Sequence, residues 1–284
     1  MTELPHERVE VPGTAPIEVA PSRVPNATTP REPKVKLSFG QNARRFWRFV
    51  LMAVWTTYCT ISGLILQRIF GDPHFLTNEH WKKRWGRGAM WILGMTVKVK
   101  SSLPDRIPGR GRLIVANHRT PLDIAVLMAQ FGGIFLANHK TRAAPIIGPA
   151  AYAVTTVFVD RDDTKSGAQA IRQMRRFLEM GRTVVVFPEG TTFPGDEVRE
   201  FKGGALIAAS GLDIDIIPAG LTYPAGTEYT EQRLSNHARR FLSRPRTPVG
   251  LALGEPMPAP KSRRGLEVIL RDEVQALVDQ ARAL

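Results

Sequence analysis

"RLIVANHRTPLDIAVLMAQF", residues 112–131, is the stretch on which the reading of this chain turns. Residues 112–116 make a short apolar run of the kind that fills a buried strand. Residues 121–131 carry apolar side chains at helical spacing until Gly132 and Gly133 stop them. Between the two lies a polar loop, Asn117-His118-Arg119-Thr120. Thr120 is a good N-cap and Pro121 suits the first helical position. Strand, polar loop and helix form the unit from which α/β domains are built. The C-terminal end of the strand is where such domains place ligands.

The alternation continues downstream. Residues 134–138 (IFLAN) and 155–159 (TTVFV) read as strands, with a broken helix over 144–154. Residues 166–181 are the clearest helix: Ile171, Met174, Phe177 and Leu178 recur at helical spacing, Ser166 stands at the start as a cap and Gly181 at the end. Then come a buried strand (183–187), a short helix (203–210), a strand (213–221), a last strand (249–254) and an amphipathic helix over 262–284. Three regions follow. Residues 1–38, rich in Pro, Thr, Glu and Val without period, read as a disordered tail; 39–95 as a helical membrane anchor; 96–284 as an α/β domain with a largely buried sheet.

The anchor reading rests on hydropathy and charge. Residues 49–66, "FVLMAVWTTYCTISGLIL", are 18 residues without a charge, near the lower limit for crossing a bilayer. The chain's net charge is +13, and it is concentrated: residues 31–119 hold 17 Lys/Arg against 4 Asp/Glu, which accounts for the whole excess. Arg44, Arg45 and Arg48 precede the apolar run, and Arg68, Lys82, Lys83, Arg84 and Arg87 follow it. Basic residues on both flanks imply an anchor that dips into one leaflet or a single short span, held by anionic headgroups on the cytoplasmic face of an inner membrane. Trp81, Trp85 and Trp91 are then expected at headgroup level on a second, interfacial arm (81–95). A basic patch beside an apolar 18-residue run fits a membrane rather than a nucleic acid. The single cysteine, Cys59, excludes an internal disulfide and a multi-cysteine zinc site, and His6, His74, His80, His139 and His237 show no ligand spacing, so no metal is expected.

His118 and Asp123 stand five apart, and the spacing has two readings. In one, Asp123 only closes the helix start, accepting from the Thr120 amide or favouring the helix dipole. In the other it reaches back to one ring nitrogen of His118 and leaves the second free as a base. Further on, "VFVDR" (157–161) sets Arg161 just past a strand, either to grip a phosphate by paired hydrogen bonds or to form a surface salt bridge with Asp160 or Asp162. "FPEGT" (187–191) sets Glu189 at another strand's end, either to accept from substrate hydroxyls or to hold the loop, and "IIPAG" (216–220) brings Pro218 to a fourth. Four strands delivering polar or turn elements to one end describe an active-site rim.

In this order and spacing, "NHRTPLD", "VFVDR", "FPEGT" and "IIPAG" resemble the glycerolipid, or lysophospholipid, acyltransferase family, most of all its 1-acyl-sn-glycerol-3-phosphate acyltransferases. The likeness covers about residues 80–225. It implies a glycerolipid-acyltransferase-like sheet flanked by helices, with an N-terminal membrane-associated helical anchor. It makes His118 the general base and Asp123 its orienting partner, and it puts Asn117, Arg161, Glu189, Gly190, Thr191 and Lys202 at the substrate. The implied reaction moves a fatty acyl group from a thioester of coenzyme A or acyl carrier protein to the sn-2 hydroxyl of lysophosphatidic acid, with no further cofactor. Backbone amides near Pro121 are expected to hold the oxyanion. One position departs from the pattern: Thr192 stands where an arginine usually follows "FPEGT". A lyso-ornithine lipid or another lysolipid is therefore the alternative acceptor.

Overall fold

The computed structural model describes residues 37–71, 78–102, 105–139, 142, 151, 156–160, 163–229, 234–262 and 264–284. The tail up to 36, the broken helix at 144–154 apart from Ala151, and Arg161 lie outside them. Eight strands form one sheet: β1 (Met95–Lys100), β2 (Gly111–Ala116), β3 (Ile134–Asn138), β4 (Val157–Val159), β5 (Thr183–Val186), β6 (Ile214–Thr222), β7 (Thr247–Leu253) and β8 (Met257–Pro258). The helices are α1 (Phe39–Phe70), α2 (Glu79–Leu93), α3 (Asp123–Phe131), α4 (Thr164–Glu179), α5 (Gly204–Ile207), α6 (Leu234–Ser243) and α7 (Leu266–Arg282).

The strand order is β1-β7-β6-β2-β5-β3-β4, with β8 added beside β6. Strands β2 to β6 run parallel, whereas β7 is antiparallel to β6. Every residue of β2 and β5 is buried, because helices cover both faces of the sheet. The period of two divides the core: Leu113, Val115, Val184 and Val186 pack toward α4 and α7, and Ile114, Ala116 and Val185 toward α2, α3 and α6. Pro218 in the middle of β6 has a physical account. The second edge of β6 pairs with β8 at Asp215 and Ile216 and with β7 from Ala219 onward. Proline falls in the gap between these partners, so its missing N–H breaks no ladder bond, and its carbonyl accepts from Gly254 at 3.0 Å.

Helix α1 is long and apolar enough to cross a membrane, by length and composition. Only Arg48, Thr56, Cys59 and Gly63 are buried, along one stripe; Phe49, Val54, Ile61 and Ile65 are among the apolar residues left exposed. The hydroxyls of Thr60 and Ser62 bond back to the carbonyls of Thr56 and Tyr58, one turn earlier, which lowers their cost in an apolar setting.

The second arm is corrected. Helix α2 packs on α3 so closely that a Cβ at Gly86 would lie 2.5 Å from the Ala129 amide nitrogen. Lys82 is 1% exposed, with its ammonium 3.4 Å from the Gly133 carbonyl beyond the end of α3, and burial pushes it down to about 8. Trp81 and Trp85 donate to the Cys59 carbonyl and the Thr56 hydroxyl, so they tie α2 to α1; Trp91 alone of the three is strongly exposed. One face of the second arm is thus packed in the core, with Trp81 and Trp85 held against α1, and Trp91 is left on its exposed face.

Strands β1 and β8 and helix α6 have no counterpart in the sequence reading. β1 ("MTVKVK") alternates apolar and basic, so its lysines blend into the run taken for a headgroup-binding flank. α6 holds few apolar residues and no clear stop. Helix 166–181 begins instead at Thr164, capped by Asp163, whose carboxylate accepts from Lys165 and Ser166 at 2.9 and 3.2 Å. Gly86→Val should force α2 off α3 and cost about 1–3 kcal/mol, read as a lower denaturation midpoint of the detergent-purified protein. An unchanged midpoint would show that the close approach is absent.

Candidate active site

Three parallel strands end at one rim. β2 delivers His118, β5 delivers Glu189 and β6 delivers Tyr223. Asp123 opens α3, where its carboxylate is fully buried. One oxygen, Oδ2, accepts three hydrogen bonds: from His118 Nδ1 at 2.8 Å, the Arg119 amide at 2.7 Å and the Thr120 amide at 3.0 Å. Both readings of the spacing therefore hold at once: Asp123 closes the turn and grips the imidazole. The carboxylate fixes the proton on Nδ1 and leaves Nε2 as the unprotonated nitrogen. The ring stacks on Phe187, centroids 4.2 Å apart and planes 15° apart, and its side chain is 17% exposed. The histidine is held on one edge and one face while solvent reaches the rest.

Glu189 is corrected in role. Its side chain is 0% exposed, and its oxygens are taken up by the protein itself. Its oxygens accept from the His118 amide at 2.5 Å, the Arg199 amide at 3.0 Å and the guanidinium of Arg119 at 3.1 and 3.3 Å. Of the two readings open in the sequence, the structure places it as the clasp between the β2 and β5 loops. Asn117 is likewise a framework residue: it is fully buried, and its amide both donates to the Leu221 carbonyl at 2.9 Å and accepts from the Leu221 amide at 2.8 Å, fastening β2 to β6.

Gly190 follows with φ +77°, a left-handed turn that glycine adopts without strain. The stem and ammonium of Lys202 lie over it, and the rest of Lys202 is exposed. Thr191 stands half-buried beside Gly190. Thr192 is turned inward, 8% exposed, and its hydroxyl donates to the Tyr229 carbonyl at 2.5 Å. Thr120 is not the N-cap residue of α3; its hydroxyl makes only a long, 3.5 Å contact with the Leu122 amide at the turn before it. Its hydroxyl lies 3.0 Å from His237 Nε2 on α6, and the N-cap is Leu122 without a side-chain bond. Burial first, then Arg240, pushes the His237 imidazole below its ordinary range; its other nitrogen bonds the Glu228 backbone, so Nε2 accepts from Thr120.

The oxyanion expectation is also corrected. The amides of Arg119, Thr120, Leu122 and Asp123 are all engaged, by Asp123 or by Thr120 itself, so the start of α3 offers no free pair there. Arg119, Tyr223 and His237 escaped the sequence reading. The first stood inside the motif as an ordinary loop residue, and no local pattern linked the other two to a loop about a hundred residues earlier.

Residues 96–222 match the Acyltransferase family. Among the relatives, a probable 1-acyl-sn-glycerol-3-phosphate acyltransferase of Mycoplasma genitalium is 29% identical over 162 residues, 55% of this chain and 60% of that protein. A lyso-ornithine lipid O-acyltransferase of Rhizobium meliloti is 32% identical over 158 residues, 55% of this chain and 53% of that protein. The match thus spans little more than half of these relatives' length. The crystal structure of the 1-acyl-sn-glycerophosphate acyltransferase of Thermotoga maritima shares the fold, with a TM-score of 0.60 at 22% identity over 84% of this chain and 98% of that one.

Glu189→Gln should leave the buried Arg119 charge without its partner and cost about 3–5 kcal/mol of stability, with activity lost in step. Thermal denaturation and turnover measured on the same preparation check this. Activity lost at full stability would return Glu189 to the substrate.

Proposed function

We propose that this chain is an O-acyltransferase, associated with the cytoplasmic face of an inner membrane, that moves a fatty acyl group from a thioester of coenzyme A or acyl carrier protein to a lysolipid hydroxyl. The sn-2 hydroxyl of lysophosphatidic acid is the first candidate acceptor. One observation carries the reading: the 2.8 Å contact between His118 Nδ1 and Asp123 Oδ2 beside an accessible ring edge. His118 Nε2 takes the proton of the lipid hydroxyl as its oxygen attacks the thioester carbonyl. The tetrahedral oxyanion collapses, the C–S bond breaks, and the imidazolium returns the proton to the thiolate. The thioester is already activated, so no acyl-enzyme is needed, and Cys59 lies in α1, away from the rim. General-base help of this kind is worth about 10²–10⁴-fold in rate. The exposed apolar face of α1 and its basic flanks would hold the enzyme where its acceptor dissolves.

A second acceptor has its own support. Thr192 offers no cation and its hydroxyl is engaged with Tyr229, so phosphate binding would fall to Lys202 and Arg161. A lyso-ornithine lipid needs no phosphate grip, and the Rhizobium meliloti relative bears that name. Purified protein offered lysophosphatidate and lyso-ornithine lipid in competition should acylate one preferentially; acylation of neither, with thioester hydrolysis instead, would make it a thioesterase.

His118→Ala should fold, bind liposomes and lose at least about 99% of turnover, as removal of a general base requires. Retention of more than about a tenth of wild-type turnover would remove His118 from that role. Arg161→Ala should raise the acceptor KM and leave the thioester KM unchanged; unaltered acceptor kinetics would exclude the phosphate contact.

A further inference from the structure

Asp123 uses only one of its oxygens. Oδ2 accepts all three hydrogen bonds of the rim, while Oδ1 is buried with no ordinary partner among the described residues. A second orphan is the hydroxyl of Tyr223, also buried and also without a partner among the described residues. One is an acceptor and the other a donor. Tyr223 is 2% exposed, directly after β6, and packs in one core cluster with Val126 and Leu127 of α3, the helix that Asp123 opens. Burial, then the charge of nearby Asp123, raise this hydroxyl well above its ordinary value of 10, so it keeps its proton and can serve as a donor.

We propose that Tyr223 is a positioning residue for the His118–Asp123 pair, its hydroxyl donating to Asp123 Oδ1 and holding the carboxylate in the plane that grips the imidazole. The framework explains why it is there. Asn117 fastens β2 to Leu221, and Tyr223, two residues on, falls on the same face of the extended chain. Arg282 donates to the Tyr223 carbonyl at 2.8 Å and pins its backbone from α7. The same strand junction that carries the histidine therefore sets the tyrosine.

The hydroxyl also tempers the carboxylate. A donated hydrogen bond disperses the Asp123 charge, so the imidazolium formed during transfer is stabilised less than by a bare carboxylate, and the proton is easier to return. Other charges around the pair stay fixed in the comparison. Arg119 is neutralised by Glu189, and His237 stands behind Thr120 with Arg240 and Arg244 beside it.

The test is Tyr223→Phe, which removes one oxygen and keeps the ring. This rests on the reading of His118 as base, so two readouts are used. The first is carbethoxylation of the His118 peptide against pH, followed by mass spectrometry without substrate. The second is the pH profile of acyl transfer to lysophosphatidate. Loss of the hydroxyl should move the midpoint of carbethoxylation, and the acid limb of the rate profile, upward by about half to one pH unit. It should lower kcat roughly tenfold with little change in either KM, less than the loss for the base itself. An unmoved midpoint overturns the proposal, whether the rate is unchanged or falls only with the denaturation temperature. If the wild type transfers no acyl group, the functional reading fails while the carbethoxylation midpoint still decides for or against Tyr223.

Discussion

The site depends on one buried charge pair. Glu189 and Arg119 come from loops seventy residues apart, and their side chains are 0% and 1% exposed. Neither ion tolerates burial without the other. Their attraction alone does not account for the arrangement, because desolvating both charges offsets much of it. The hydrogen bonds complete it: Glu189 accepts from the amides of His118 and Arg199, and Arg119 donates to the carbonyls of His118 and Glu197. The pair thus fixes the backbone on either side of the imidazole. The Glu189 carboxylate holds the loop backbone that carries the histidine, while Asp123 and Phe187 orient its ring.

Much of this was legible in the sequence, and what was not has a common cause. β2, β5 and β6 are continuous apolar runs, so their burial shows directly; α3 and α4 carry a helical period and glycine stops. The pairing of His118 with Asp123 is local, within one turn. The roles that went astray, those of Asn117, Glu189 and Thr120, belong to polar residues whose partners lie 104, 70 and 117 residues away. A short polar residue at a strand end has the same composition whether it faces a ligand or a neighbouring loop. Only tertiary structure states which. β1 was lost for a related reason, since a half-buried edge strand with alternating lysines has the composition of a basic surface.

The anchor and the rim are joined more closely than a hydropathy reading allows. Arg48, 8% exposed on α1, donates to the carbonyls of Leu242, Arg244 and Pro245, and Arg44 to that of Ser243. These carbonyls stand at and just beyond the C-terminal end of α6, where a helix leaves acceptors unsatisfied and favours cations. Two arginines counted as headgroup ligands thus cap a helix of the α/β domain. The same helix carries His237, which receives the Thr120 hydroxyl, and the Thr120 amide in turn donates to Asp123. A continuous set of hydrogen bonds and one rigid helix therefore leads from the apolar α1 to the carboxylate that orients the imidazole. For the lysolipid acceptor proposed above, which would lie in the membrane plane, the distance between that plane and Nε2 would have to be fixed for the hydroxyl to meet the base. A flexible tether could hold the protein at a membrane but would leave that distance free. Under the proposed function, helix α1, clamped by Arg48 and stitched to α2 through Trp81 and Trp85, would set it by packing.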